Sequence, residues 1–171
     1  MNLYLVGYRC TGKTTVGLLL STKLGWGFVD MDHELAVEAG MSIQEIVSRQ
    51  GWKHFRKLEG HLLERLSRQA SQVVATGGGV VASTENIATM RNSGKVVWLE
   101  AGPSAIAKRM LADSSTVRQR PALRGKDALT EIKEVLKERL PLYEKAMHFS
   151  VDTDELYPQE VADRIMVWLK T

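Results

Sequence analysis

Short runs of consecutive apolar residues alternate along the chain with longer stretches in which apolar positions recur every three or four residues. The first pattern suits strands buried on both faces, and the second suits helices with one apolar stripe. Strands are therefore expected at 2–6 (NLYLV), 27–30 (GFVD), 72–75 (QVVA), 95–99 (KVVWL) and 148–152 (HFSVD). Helices are expected at 13–24, 33–39, 42–49, 52–70, 84–92, 103–111, 128–146 and 158–169. Ser42 followed by Glu45 is a capping-box pattern, and Pro103 and Pro158 stand where a first helical turn tolerates proline. Strands alternating with helices imply right-handed βαβ units, hence a parallel five-stranded sheet covered on both faces, a three-layer α/β/α arrangement. No repeat, low-complexity run or linker divides the chain, so one domain is expected over 1–171. Sheets of this kind bind ligands beyond the carboxyl ends of their strands, which is where chemistry is sought next.

The first strand leads into GYRCTGKTT, residues 7–15, and a helical pattern follows at once. A tight turn accounts for one glycine, but not for a second followed by Lys13 and Thr14. The spacing is G-x-x-x-x-G-K-[ST], the phosphate-binding loop, and strand before with helix after is the context that loop requires. Its backbone N–H groups would curl around phosphates at the positive end of the helix. Lys13 would reach the β- and γ-phosphates, and the Thr14 hydroxyl would ligate Mg²⁺. The bland alternative is an ordinary strand–turn–helix junction.

Three more clusters follow strand ends. VDMDHE places Asp30 and Asp32 two residues apart, which points both carboxylates the same way if the strand continues. One would hold a Mg²⁺-bound water and the other accept a proton. The alternative is that Asp32 merely caps a helix beginning at His33. TGGGVV, residues 76–81, offers three successive glycines where a flexible turn needs one or two, so a ligand could approach the backbone closely. The segment DSSTVRQRPALRGKD, 113–127, is long and polar and carries Arg118, Arg120 and Arg124. It reads as a basic lid that closes over a triphosphate and excludes water, or else as a solvated connection. On helices, Arg56 and Glu59 have the i, i+3 spacing of a structural ion pair.

Composition changes this picture little. Length is enough to bury about two-thirds of the unfolded surface. The net charge of +3 suits anionic small molecules, and no basic stripe interleaved with aromatics points to nucleic acid. The one cysteine, Cys10, permits no internal disulfide, fits a reducing compartment and reads as a space-filler within the loop. There is no basic leader and no apolar run of membrane-spanning length, so a cytoplasmic protein without a membrane partner is expected.

Taken together, GYRCTGKTTVG, FVDMD, FRKLE, VVATGGGVV, RPAL and ERLPLY occur in an order and spacing that resemble the shikimate kinase family. These are small P-loop enzymes of the nucleoside-monophosphate-kinase type, and the resemblance covers nearly the whole chain. It implies ATP-dependent phosphorylation of the 3-hydroxyl of shikimate, in aromatic amino acid biosynthesis through chorismate, by a monomer using Mg²⁺. It further implies that Arg9, Cys10, Thr11, Gly12, Lys13, Thr14 and Thr15 cradle the ATP phosphates. Thr14 and Asp30 would serve the metal, and Asp32 would contact the shikimate hydroxyls as the favoured base. Arg56 and Arg139 match the two arginines that grip the shikimate carboxylate. Gly77, Gly78 and Gly79 match the turn beneath the ring, and a shikimate-binding helical region is implied at about 33–61. Arg120 matches the lid arginine that reaches the phosphates, and Arg109 one that packs on adenine.

Phosphoryl transfer is catalysed mainly by positioning and charge neutralisation, which suits Lys13, Mg²⁺ and Arg120 around the transferring group. Planar arginines suit a carboxylate better than lysines do. Two features depart from the family pattern: the loop interior is poor in glycine, and DTDELYP lacks a basic residue some members place near adenine. Two rival readings stand beside this one. The first keeps the fold but takes gluconate or a nucleoside monophosphate as acceptor. The second is a nucleotide-binding switch, against which the absence of an [NT]-K-x-D string speaks.

Overall fold

The computed structural model describes residues 1–112 and 127–171. Five strands form one all-parallel sheet: β1 (Asn2–Val6), β2 (Gly27–Asp30), β3 (Gln72–Ala75), β4 (Gly94–Glu100) and β5 (Phe149–Asp152), in the order β2-β3-β1-β4-β5. The helices are α1 (Lys13–Leu24), α2 (Met31–Ala39), α3 (Ile43–Ser67), α4 (Thr84–Ser93), α5 (Pro103–Ala112), α6 (Ala128–Ala146) and α7 (Pro158–Leu169). The layers are α/β/α, as the alternating pattern predicts.

Alternation along the strands sorts the core into two halves. Leu3, Leu5, Val73, Val97, Leu99 and Val151 face α1 and α7, where they meet Val16, Leu20, Val161 and Ile165. Tyr4, Val6, Val74, Val96 and Trp98 face the other way, onto α2, α3, α4 and α6. Because both faces of β1 are covered, all five of its residues are buried, and after Asn2 its sequence reads as a continuous apolar run.

Boundaries differ from the periodicity in physically explicable ways. The two helices expected at 42–49 and 52–70 are both present, as the two halves of α3 on either side of a kink at Gly51, whose φ 80° and ψ 166° are not helical. Its start is the capping box: the Ser42 hydroxyl accepts from Glu45 N at 3.2 Å, and the Glu45 carboxylate accepts from Ser42 N at 2.9 Å. Its end comes at Ser67, because the polar SRQAS run that follows offers no apolar stripe to bury. A short 3₁₀ turn at Val80–Ala82, not expected, carries the chain from β3 to α4. Pro141 lies inside α6, where it removes one helical N–H, yet the helix continues to Ala146. Among the described residues no helix is long and apolar enough to cross a membrane.

What positions the site is the crevice between β1 and β3. Their following helices lie on opposite faces of the sheet: α1 packs on one and the 3₁₀ turn with α4 on the other. The carboxyl ends of the two strands therefore open a cleft between them, the place where such sheets bind ligands.

Candidate active site

The loop after β1 is shaped by two glycines. At Gly7 (φ +143°) a Cβ would lie 2.5 Å from the Leu99 carbonyl oxygen, so no other residue fits there. Gly12 (φ +91°) ends the loop and starts α1. Between them Cys10 adopts φ 60°, the left-handed region that costs a non-glycine residue about 1 kcal/mol. That is where the glycine-poor interior is felt. The Thr11 hydroxyl compensates by donating to Tyr8 O at 2.9 Å. Lys13, almost buried, lays its Nζ across the loop and donates to Gly7 O at 2.9 Å and Tyr8 O at 2.7 Å. A phosphate entering the cradle would meet the ammonium already held over it.

Beside the loop, Thr14 Oγ1 donates to Asp30 Oδ2 at 2.6 Å. The two residues expected to serve a metal thus meet at one point and present oxygen donors, the ligand type a hard divalent cation takes. Asp30, not Asp32, is the N-cap of α2: its Oδ1 accepts from Asp32 N at 3.1 Å and His33 N at 3.3 Å. This corrects two expectations. The helix begins at Met31 rather than His33, and the strand does not continue past Asp30, so strand alternation is not what aims the carboxylates. The first turn of α2 aims Asp32 instead, towards the glycine turn. A Cβ on Gly77 would lie 3.0 Å from Asp32 Oδ1 and 2.5 Å from Glu59 Oε1.

The turn Gly77–Gly79 forms the floor of the second half of the site. Gly78 rests on the phosphate loop, where an added Cβ would be 3.4 Å from Gly7 O and 3.5 Å from Arg9 N. Gly79 lies flat under the Arg56 guanidinium, which a side chain there would strike. The Gly78 carbonyl accepts from Arg139 Nη1 at 3.0 Å and from the Tyr143 hydroxyl at 2.6 Å. Tyr143 is wholly buried, stacked on Trp98 at 5.5 Å, and burial pushes its hydroxyl up to about 12, so it stays a donor. Arg56 stands over Trp52 and Phe55, 5.4 and 5.2 Å from the ring centres, and donates to Glu59 Oε2 at 2.7 Å. Tyr8, Arg9, Asp32, Arg56, Glu59 and Arg139 line a single cleft above the three glycines.

Glu59 was legible only as the partner of Arg56, but it is a wall of this cleft. Its side chain is buried, and Oε1 has no hydrogen-bond partner among the described residues. Burial raises its carboxyl above the ordinary glutamate range, against the opposing pull of Arg56. A folded-state value above the unfolded one is unfavourable once pH passes the unfolded value, and neutral below it. Glu59→Gln should therefore melt at a higher temperature than the wild type at about pH 8, and at the same temperature near pH 3.5. A variant no more stable than the wild type at the higher pH would show that the Arg56 pair outweighs burial.

Arg109, expected to pack on adenine, has its guanidinium held by hydrogen bonds at two places. Its Nη1 donates to Cys10 O at 3.3 Å and Thr153 Oγ1 at 3.0 Å, and its Nη2 to Thr153 O at 2.6 Å. It thereby ties the phosphate loop to the segment after β5. Arg118, Arg120 and Arg124 lie outside the described residues, as does the expected lid except Asp127, which caps α6 by accepting from Thr130 N at 3.0 Å.

The geometry is that of a phosphate cradle abutting a small cleft lined by arginines and carboxylates. A family model for shikimate kinase matches residues 9–170. The chain belongs to the shikimate kinase family. It is 40% identical over 165 residues to the shikimate kinase of Thermodesulfovibrio yellowstonii, across 96% of this chain and 92% of that one. The shikimate kinase of a Synechococcus species is 44% identical over 165 residues, across 96% and 80%. The solved structure of Acinetobacter baumannii shikimate kinase in complex with shikimate matches with a TM-score of 0.90 at 31% identity, across 99% of this chain and 92% of that one.

Proposed function

We infer that this kinase transfers the γ-phosphoryl group of ATP to the 3-hydroxyl of shikimate, giving shikimate 3-phosphate and ADP. The observation that carries this reading is the convergence of Arg56, Arg139 and Asp32 on one cleft whose glycine floor touches the phosphate loop. A ring acid with hydroxyl groups meets there a cationic pair for its carboxylate and a carboxylate for its hydroxyls. Asp32 accepts the hydrogen bond of the attacking hydroxyl and takes its proton as the new O–P bond forms and the bond to ADP breaks. Lys13, held over the loop, neutralises charge on the transferring group. Thr14 and Asp30 would hold Mg²⁺, which would supply further neutralisation of the phosphates. Arg120 would add charge from the lid, and Arg109 would border the adenine.

The whole chain acts on this reading as one cytoplasmic kinase domain and as a monomer. Coupled measurement of ADP release tests it. Release should depend on shikimate and stay at background with gluconate or a nucleoside monophosphate. Release stimulated by gluconate would move the acceptor, and acceptor-independent release would favour a hydrolysing switch.

A further inference from the structure

We propose that Arg9, although it stands inside the phosphate loop, serves the acceptor and not the nucleotide. This rests on the reading of the Arg56–Arg139 cleft as the acceptor pocket. Of the loop residues, only Tyr8 and Arg9 line that cleft; Lys13 and Thr14 do not. The Arg9 guanidinium lies 5.5 Å from the centre of the Tyr8 ring, and the Arg139 guanidinium lies 6.0 Å from the same ring. One aromatic side chain thus sits between a cation from the loop and a cation from α6.

Three further observations fix the direction in which Arg9 works. Its Nη2 lies 3.5 Å from Glu131 Oε1, with both side chains more than nine-tenths buried. Glu131 stands in the first turn of α6, the helix that also delivers Arg139 and Tyr143 to Gly78. The guanidinium is therefore anchored to the acceptor wall. A separation of 3.5 Å also exceeds the 2.7–2.9 Å or so of a tight charge-assisted bond, so the five donors of Arg9 are not consumed by a close bidentate pair. Finally, the Tyr8 hydroxyl is buried and interacts with the Arg9 side chain, and burial keeps it protonated, so it stays a donor.

Arg56 and Arg139 are placed for the acceptor's carboxylate. Arg9 and Tyr8 supply donors at the loop side of the same cleft, where hydroxyl oxygens of the ring lie nearest the phosphates. An anionic polyol gains from both sets; a nucleotide gains from neither, since its phosphates meet the backbone and Lys13. Arg9 is on this view a specificity-determining residue, and Glu131 positions it.

Separate titrations of shikimate and of ADP into the purified protein test this. Arg9→Met should weaken shikimate about 10-fold and leave ADP within about twofold, whereas Arg9→Lys, which keeps the charge but not the fork, should lose about 3-fold for shikimate. Arg9→Met strands the Glu131 carboxylate, so Arg9→Met/Glu131→Gln provides a second variant without that buried charge. It should show the same split between the two ligands, which a merely structural role would not produce. Unchanged shikimate affinity in these variants, or an ADP loss as large as the shikimate loss, overturns the proposal. A wild type that binds ADP but no shikimate overturns the acceptor reading itself, and this inference with it.

Discussion

Lys13→Met is expected to lower turnover by about three orders of magnitude while the protein stays folded. The ammonium is the one cation of the described loop that lies over the cradle, and its two acceptors, Gly7 O and Tyr8 O, are loop carbonyls. Methionine fills the same space along the stem but brings no charge to the γ-phosphoryl group. The loss corresponds to about 4 kcal/mol of transition-state stabilisation. Two hydrogen bonds to the loop disappear as well, which should lower stability by about 1–3 kcal/mol and so show as a modest fall in melting temperature. Steady-state turnover with saturating ATP and shikimate, beside a thermal melt of the same sample, separates the two effects. A variant that turns over at the wild-type rate would remove the phosphate-loop assignment.

The parts of the fold that could be read in advance are those in which local pattern and tertiary environment agree. All five strands stand within a residue of the apolar runs, because a parallel sheet buries both faces and writes that burial into consecutive residues. The phosphate loop was legible for a related reason: Gly7 and Gly12 answer to backbone geometry, and Lys13 and Thr14 to the ligand, all within nine residues. The junction at Asp30 was harder. Two aspartates two apart at a strand–helix boundary can each cap, and only the observed φ and ψ of Asp30 make it the cap and Asp32 a member of the first turn. Glu59 was visible as the i, i+3 partner of Arg56, but its burial depends on the glycine turn beneath it, eighteen residues on in the chain. Contacts of that kind leave no local signal. The same holds for Tyr143 on Gly78 O and for Glu131 beside Arg9, where partners more than sixty residues apart meet through α6. Arg109 was placed by resemblance alone, and the chain gives it two carbonyl partners that no spacing foretells.

Arg139→Ala should weaken shikimate about 30-fold or more with little change in ATP affinity. Removing one member of a desolvated charge pair costs about 2–5 kcal/mol, largely because the other charge is left unpaired. In the free protein Arg139 also donates to Gly78 O, so a displaced glycine turn could mimic that effect. Tyr143 guards against this, since its hydroxyl holds the same carbonyl at 2.6 Å and remains in the variant. The loss should accordingly follow the acceptor's charge rather than the turn.

The most direct measurement is a four-corner titration: wild type and Arg139→Ala, each against shikimate and an analogue with the carboxylate reduced to an alcohol. The wild type should bind the analogue poorly. The variant should lose much less on the same change, because the arginine–carboxylate interaction is already gone, so the two losses should fall well short of additive. Additive losses would mean that Arg139 does not hold the carboxylate, and an acceptor other than shikimate would then fit the cleft better.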